Sequence, residues 1–124
     1  MAGKFISIRN LKFLLYEVFD TVALTKAPYY SQHNQKAFDL VLDAAAKIAQ
    51  KKYYPLFEEM DRKPPYLENG QVKVHPAVRD IMKECGEGGW IGAAFPEAWG
   101  GEQMPHILHC ACHLITSSAN YSAG

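Results

Sequence analysis

Five side chains able to bind a soft metal or act as nucleophiles fall within eight residues: His106, His109, Cys110, Cys112 and His113. On a helix, His106, His109, Cys110 and His113 stand at i, i+3, i+4 and i+7. They share one face and could present imidazoles and a thiolate to zinc. A structural zinc site normally draws its ligands from two separated segments, because four ligands along one helix cannot all reach one ion. A second segment could supply only His33, His75 or Cys85. Cysteine is also among the most buried residue types as a small hydrophobe. Metal binding by the 106–113 cluster is thus an alternative, and packing of a buried or interdomain helix is the favoured reading, with no metal expected.

The carboxylates give no general base. Glu84, Glu87, Glu97 and Glu102 lie around a glycine-rich stretch, and acids in such surface patterns are solvated or cap helices. No catalytic residue is assigned. The glycines do not cradle phosphate, since neither G-x-G-x-x-G nor a G-K-[ST] ending is present. They punctuate a crossing instead. Gly86, Gly88 and Gly89 can end a helix in the left-handed conformation, and Pro96 forbids helical continuation while making Phe95 extended. Trp90, Ile91, Phe95 and Trp99 are expected to pin this irregular segment by burial of their side chains.

These groups need a scaffold, and the chain is long enough for one. Its 124 residues, 48% hydrophobic and 21% charged, suit one globular domain with a core. Thirteen basic residues balance thirteen acidic ones, so no global field favours nucleic acid or an anionic membrane. Cys110-x-Cys112 on a helix cannot easily pair with Cys85, which argues for a reducing, cytoplasmic setting. Arg9, Lys12 and Glu17 interrupt the amino-terminal apolar run, so neither a signal peptide nor a membrane span is expected.

Four helices position the groups. Leu11, Leu14, Leu15, Val18, Phe19 and Val22 form one helical face after a cap at Asn10. Residues 28–33 connect to a long second helix with Phe38, Val41, Leu42, Ala45, Ile48, Ala49 and Leu56 inward, which Pro55 should kink. Pro64, Pro65 and Asn69-Gly70 mark a loop over 61–75, with a small hairpin at Asn69-Gly70. A third helix starts at Pro76, weakly capped by His75, buries Val78, Ile81, Met82 and Cys85, and ends at Gly86. The fourth begins near Pro105. Its apolar residues, from Ile107 to Ile115, surround nearly the whole circumference, which suits the middle of a bundle or a place between domains.

The residues from Gly89 through Gly92, Pro96, Glu97, Gly100 and Gly101 resemble the signature G-x-x-G-h-x-h-P-E-x-x-G-G, with h apolar, of the amino-terminal helical domain of acyl-CoA dehydrogenases. Tyr54-Pro55-Leu56 followed by Asp61-Arg62 is similar to that family's second-helix exit, and Pro76-Ala77-Val78-Arg79 to its third-helix start. Phe13-Leu14-Leu15-Tyr16-Glu17-Val18-Phe19 looks like the extension of a longer-chain subgroup that includes enzymes for unusual acyl and methylthio-acyl thioesters. Two departures stand out. His113-Leu114-Ile115-Thr116 replaces an E-E-h-A step, and Gln103 stands where G-G-x-G has its last glycine.

The resemblance implies an all-α helical bundle of about four main helices over 34–124, preceded by an extension over 1–33 carrying the first helix. It implies a parent enzyme that oxidises acyl-CoA to 2,3-enoyl-CoA with FAD, passes electrons to an electron-transfer acceptor, and forms a homo-oligomer. In that family the base and most flavin contacts come from later sheet and helical domains. The sequence stops 23 residues after Gly101, so a fragment without its own FAD or activity is expected. The family's acyl-chain contacts begin about where the sequence stops, which makes Asn120, Tyr121 and Gly124 the candidate substrate-binding residues. A non-enzymatic helical interaction module is the other alternative, although such a module has no need for the long irregular crossing.

Overall fold

In the computed structural model, which describes residues 4–123, the chain is a helical bundle with one small hairpin. Its elements are α1 (Ile8–Phe13), α2 (Gln35–Ile48), α3 (Phe57–Arg62), β1 (Tyr66–Glu68), β2 (Gln71–Lys73), α4 (Ala77–Glu87) and α5 (His106–Ala119).

The centre is the packing of α2 on α5. Asn34 starts α2 by accepting the Ala37 N–H at 2.8 Å, a side-chain cap for one of the unpaired donors at a helix start. Phe38, Leu42, Ala45 and Ala49 then repeat at i, i+4, i+7 and i+11 and are buried. They meet Leu108, Ala111, Cys112, Ile115 and Ala119 of α5, with Leu11 of α1, Leu15 of the turn that follows it and Ile81 of α4 closing the sides. Pro55 disrupts the second helix as expected. Residues 49–53 loosen into a π turn and 54–56 tighten into a 3-10 turn before α3, because proline offers no N–H to the turn before it.

The hairpin forms where Asn69-Gly70 predicts it. Leu67 pairs with Val72, and Asn69 (φ 51°) and Gly70 (φ 75°) take the double left-handed turn that matches strand twist. His75 also caps as expected, its Nδ1 accepting the Ala77 N–H at 3.1 Å.

Four expectations need correction. Ser7, not Asn10, caps the first helix, its hydroxyl accepting the Asn10 N–H at 3.2 Å. That helix passes into a π turn over Leu14–Val18, and Asp20 is left-handed. The face is thereby rotated, so Leu11 and Leu15 are buried while Val18 and Phe19 are exposed. Helix α4 continues to Glu87, and Gly89, at φ 77°, makes the left-handed exit; Met82 of this helix is half exposed. Finally, α5 is apolar all round but buried on one side only. Leu108 and Ile115 are fully covered, whereas Cys110 and Leu114 face outward.

Candidate functional site

The crossing from Gly89 to Met104 joins α4 to α5, and its geometry comes from backbone rather than from rings. Met104 N–H and Glu102 N–H both donate to Ala93 O, at 3.0 and 3.2 Å, while Gln103 N–H reaches Phe95 O and Gly101 N–H reaches Pro96 O. Gly100 turns at φ 81°. Gly101 admits no side chain, since a Cβ there would overlap Phe95 O and lie 2.7 Å from Gly92 O. The Pro96-Glu97…Gly100-Gly101 spacing is thus the sequence image of a doubled-back turn whose strands touch at Gly101. The expected anchoring by rings is overturned. Trp90 is partly buried and lies over Gly88, but Ile91, Phe95 and Trp99 are more than half exposed. A closed set of backbone hydrogen bonds leaves those side chains free to face outward.

Gln103 takes φ 49°, a left-handed geometry unusual for a residue with a Cβ. Its amide Oε1 accepts the Glu97 N–H at 3.2 Å and its Nε2 donates to Tyr29 O at 2.9 Å.

The crossing is a wall between two cavities, and Trp90, Ala93 and Met104 line both. One, of about 260 Å³, opens between α4 and α5 and holds Tyr53, Cys85, His109 and Cys112. Tyr53 Oη lies 3.2 Å from Cys85 Sγ, and burial, then the Cys85 thiol, pushes its hydroxyl well above the usual tyrosine range. Burial pushes the Cys112 thiol up to about 12; it is a packing group, not a nucleophile. The second cavity, of about 410 Å³, lies against α2 and is lined by Phe38, Val41, Trp90 and Met104 among others.

The histidine and cysteine cluster does not converge. His106 and His109 stack with centroids 5.9 Å apart, His113 bonds Ser117 at 3.3 Å, Cys110 is exposed and Cys112 is buried. Burial first, then His106 and His113, lowers the His109 pKa. Among the described residues no three His, Cys, Asp or Glu side chains are gathered where they could hold a metal ion. Glu84, Glu87, Glu97 and Glu102 are all exposed.

The candidate substrate residues part company at the end of α5. Asn120 is buried, and its Nδ2 donates to Tyr53 O at 3.1 Å and approaches Met60 Sδ at 3.2 Å. At this kink the Phe57 N–H bonds Tyr54 O, closing the 3-10 turn at Pro55. Asn120 therefore ties the end of α5 to the α2–α3 kink, a role that only the tertiary structure reveals. Tyr121 is 84% exposed, and Gly124 lies outside the described residues. Among those residues no helix is long and apolar enough to cross a membrane.

The family model described as "Acyl-CoA dehydrogenase, N-terminal domain" matches residues 35–123, from the start of α2 to just beyond α5. No curated protein matches the chain.

Proposed function

Because the chain belongs to the acyl-CoA dehydrogenase family through its N-terminal domain, we propose that it is the helical domain of an FAD-dependent enzyme that oxidises acyl-CoA to 2,3-enoyl-CoA. The observation that carries this reading is the match over 35–123, which spans α2, the hairpin, α4, the crossing and α5. Residues 1–33 are read as an extension and 34–124 as the domain. The extension is similar to that of the longer-chain subgroup, which includes enzymes for unusual acyl and methylthio-acyl thioesters. A homo-oligomer in the cytoplasm, with an electron-transfer acceptor, completes the reading.

The residues present do not suit a flavin by themselves. Neither cavity has a lysine or arginine in its lining, so neither offers charge for a diphosphate. In this chemistry a base takes the α-proton as the β-hydride leaves, while hydrogen bonds stabilise the developing enolate. Since Glu84, Glu87, Glu97 and Glu102 are exposed and dispersed, the base is assigned to the family's later domains. The part of this chain is to shape one wall of the site. Tyr121, facing outward at the end of α5, is the residue here best placed to meet substrate; Asn120 holds that end in position, and Gly124 follows.

The test is the complete gene product, freed of unbound flavin. It should absorb as a flavoprotein and bleach on addition of acyl-CoA, with turnover supported by an artificial electron acceptor. A complete protein that is flavin-free and inert toward every acyl-CoA would overturn the reading. Flavin retention with acyl-CoA-dependent bleaching by the 124-residue chain alone would move the chemistry into this domain.

A further inference from the structure

The segment before α2 is fastened to the bundle at two places. At its start, the Lys12 ammonium lies 3.2 Å from Asp39 and 3.5 Å from Asp43, and the Tyr16 hydroxyl donates to Asp39 at 2.9 Å. At its end the side-chain hydrogen bonds to the bundle run to the crossing. Gln32 Nε2 donates to Glu102 O at 3.1 Å. His33 Nε2 lies 3.0 Å from both Glu102 O and Gln103 O; two carbonyls can only accept, so this nitrogen carries a hydrogen. Gln103 Nε2 returns a bond to Tyr29 O.

We propose that residues 29–33 form a strap and that Gln103 latches it across the Gly100–Gly101 turn, so that docking of the N-terminal segment sets the start of α5. Gln103 reaches both sides, holding Glu97 N–H with one amide atom and Tyr29 O with the other. It does so from a left-handed backbone, φ 49°, where glycine would be at ease and a side chain is strained. The strained conformation aims the amide back across the turn. Immediately after it, Met104 and Pro105 are buried and α5 begins, so movement of the latch is movement of the helix start. The strap also borders the cavity beside α2, since His33 and Glu102 both line it. Release of the latch thus loosens one wall of that cavity.

Residue-resolved hydrogen exchange tests the coupling without reference to activity. Gln103→Gly removes the latch while suiting the backbone. The amides of Glu97, Ser31 and His33, and that of Leu108, which closes the first turn of α5 on Pro105 O, should then exchange about tenfold faster or more, with Leu42 and Ile115 as protected as before. From the other side, Gln32→Ala with His33→Phe keeps a ring against Phe38, 5.9 Å away between centroids, and removes the donors. The amides of Glu102 and Gln103 should accelerate comparably. Acceleration confined to the mutated side in either variant would overturn the latch. So would loss of protection at Ile115 in Gln103→Gly, because the turn would then belong to the core rather than to a separable clasp.

Discussion

The α2–α5 pair and the crossing that leads into α5 are continuous in the chain, yet different forces hold them. The pair is fastened by side chains: Phe38, Leu42, Leu108 and Ile115 are essentially inaccessible to water. The crossing is fastened by main chain, with Ala93 O accepting two N–H groups and Gly101 pressed against Phe95 O, while one of its two tryptophans, Trp99, is 76% exposed. A buried apolar residue is therefore what matters in one region, and a missing side chain in the other.

The largest effect should follow from truncating the pair. Leu108→Ala or Ile115→Ala leaves a void where nothing can readily collapse, and should cost about 2–5 kcal/mol in denaturant unfolding. A cost below that of the crossing variants would erase the distinction. Next comes Gly101→Ala, which adds a single methyl group where the backbone already touches. Overpacking of this kind costs about 1–3 kcal/mol, and exchange at Glu102 and Gln103 should rise as the turn opens. An unchanged melting curve would mean that the turn yields freely and that its glycine is not required.

Asn120→Ala should rank third, at about 1 kcal/mol for the lost hydrogen bond. It removes the donor to Tyr53 O but leaves both helices packed. This variant also separates positioning from recognition. If the complete enzyme shows a fall in stability with KM for acyl-CoA unchanged, Asn120 acts through the helix end; a rise in KM alone at full stability would make it a substrate contact.

The same contrast governs what could be read from the sequence. Burial at helical spacing is written directly in residue type, so α2, α4 and α5 were legible from their apolar periods, and the hairpin from Asn69-Gly70. The family too was legible, because a doubled-back turn demands glycine and proline at fixed positions. The fate of exposed rings was not, since a tryptophan in a loop looks the same whether it fills a pocket or faces out. Nor was the rotation of the first helix, because nothing in Leu14-Leu15-Tyr16-Glu17-Val18 signals a π turn. The role of Asn120 escaped for a third reason. Its partner, Tyr53 O, is 67 residues away and meets it only once the fold brings the end of α5 to the α2–α3 kink. Gln103 had a visible signal, a side chain where glycine was due, but its partners needed the fold.

The smallest predicted effect is the sharpest discriminator. Trp99 is the larger of the two kinds of ring in the crossing, and by composition alone its loss should be among the most damaging, as Phe/Trp→Ala in a core costs about 3–5 kcal/mol. Its position says otherwise. It follows Glu97 in a 3-10 turn closed by Trp99 N–H to Pro96 O and Gly100 N–H to Glu97 O, bonds that alanine can make equally well. With 76% of its surface in water, Trp99→Ala should change unfolding free energy by less than about 0.5 kcal/mol in this chain. A loss of several kcal/mol would show that the ring is buried in solution and that side chains hold the crossing after all. A near-neutral result here, joined to weakened assembly or flavin retention in the complete protein, would identify the exposed ring as a contact for another part of the enzyme, consistent with a surface apolar group kept for docking rather than for stability.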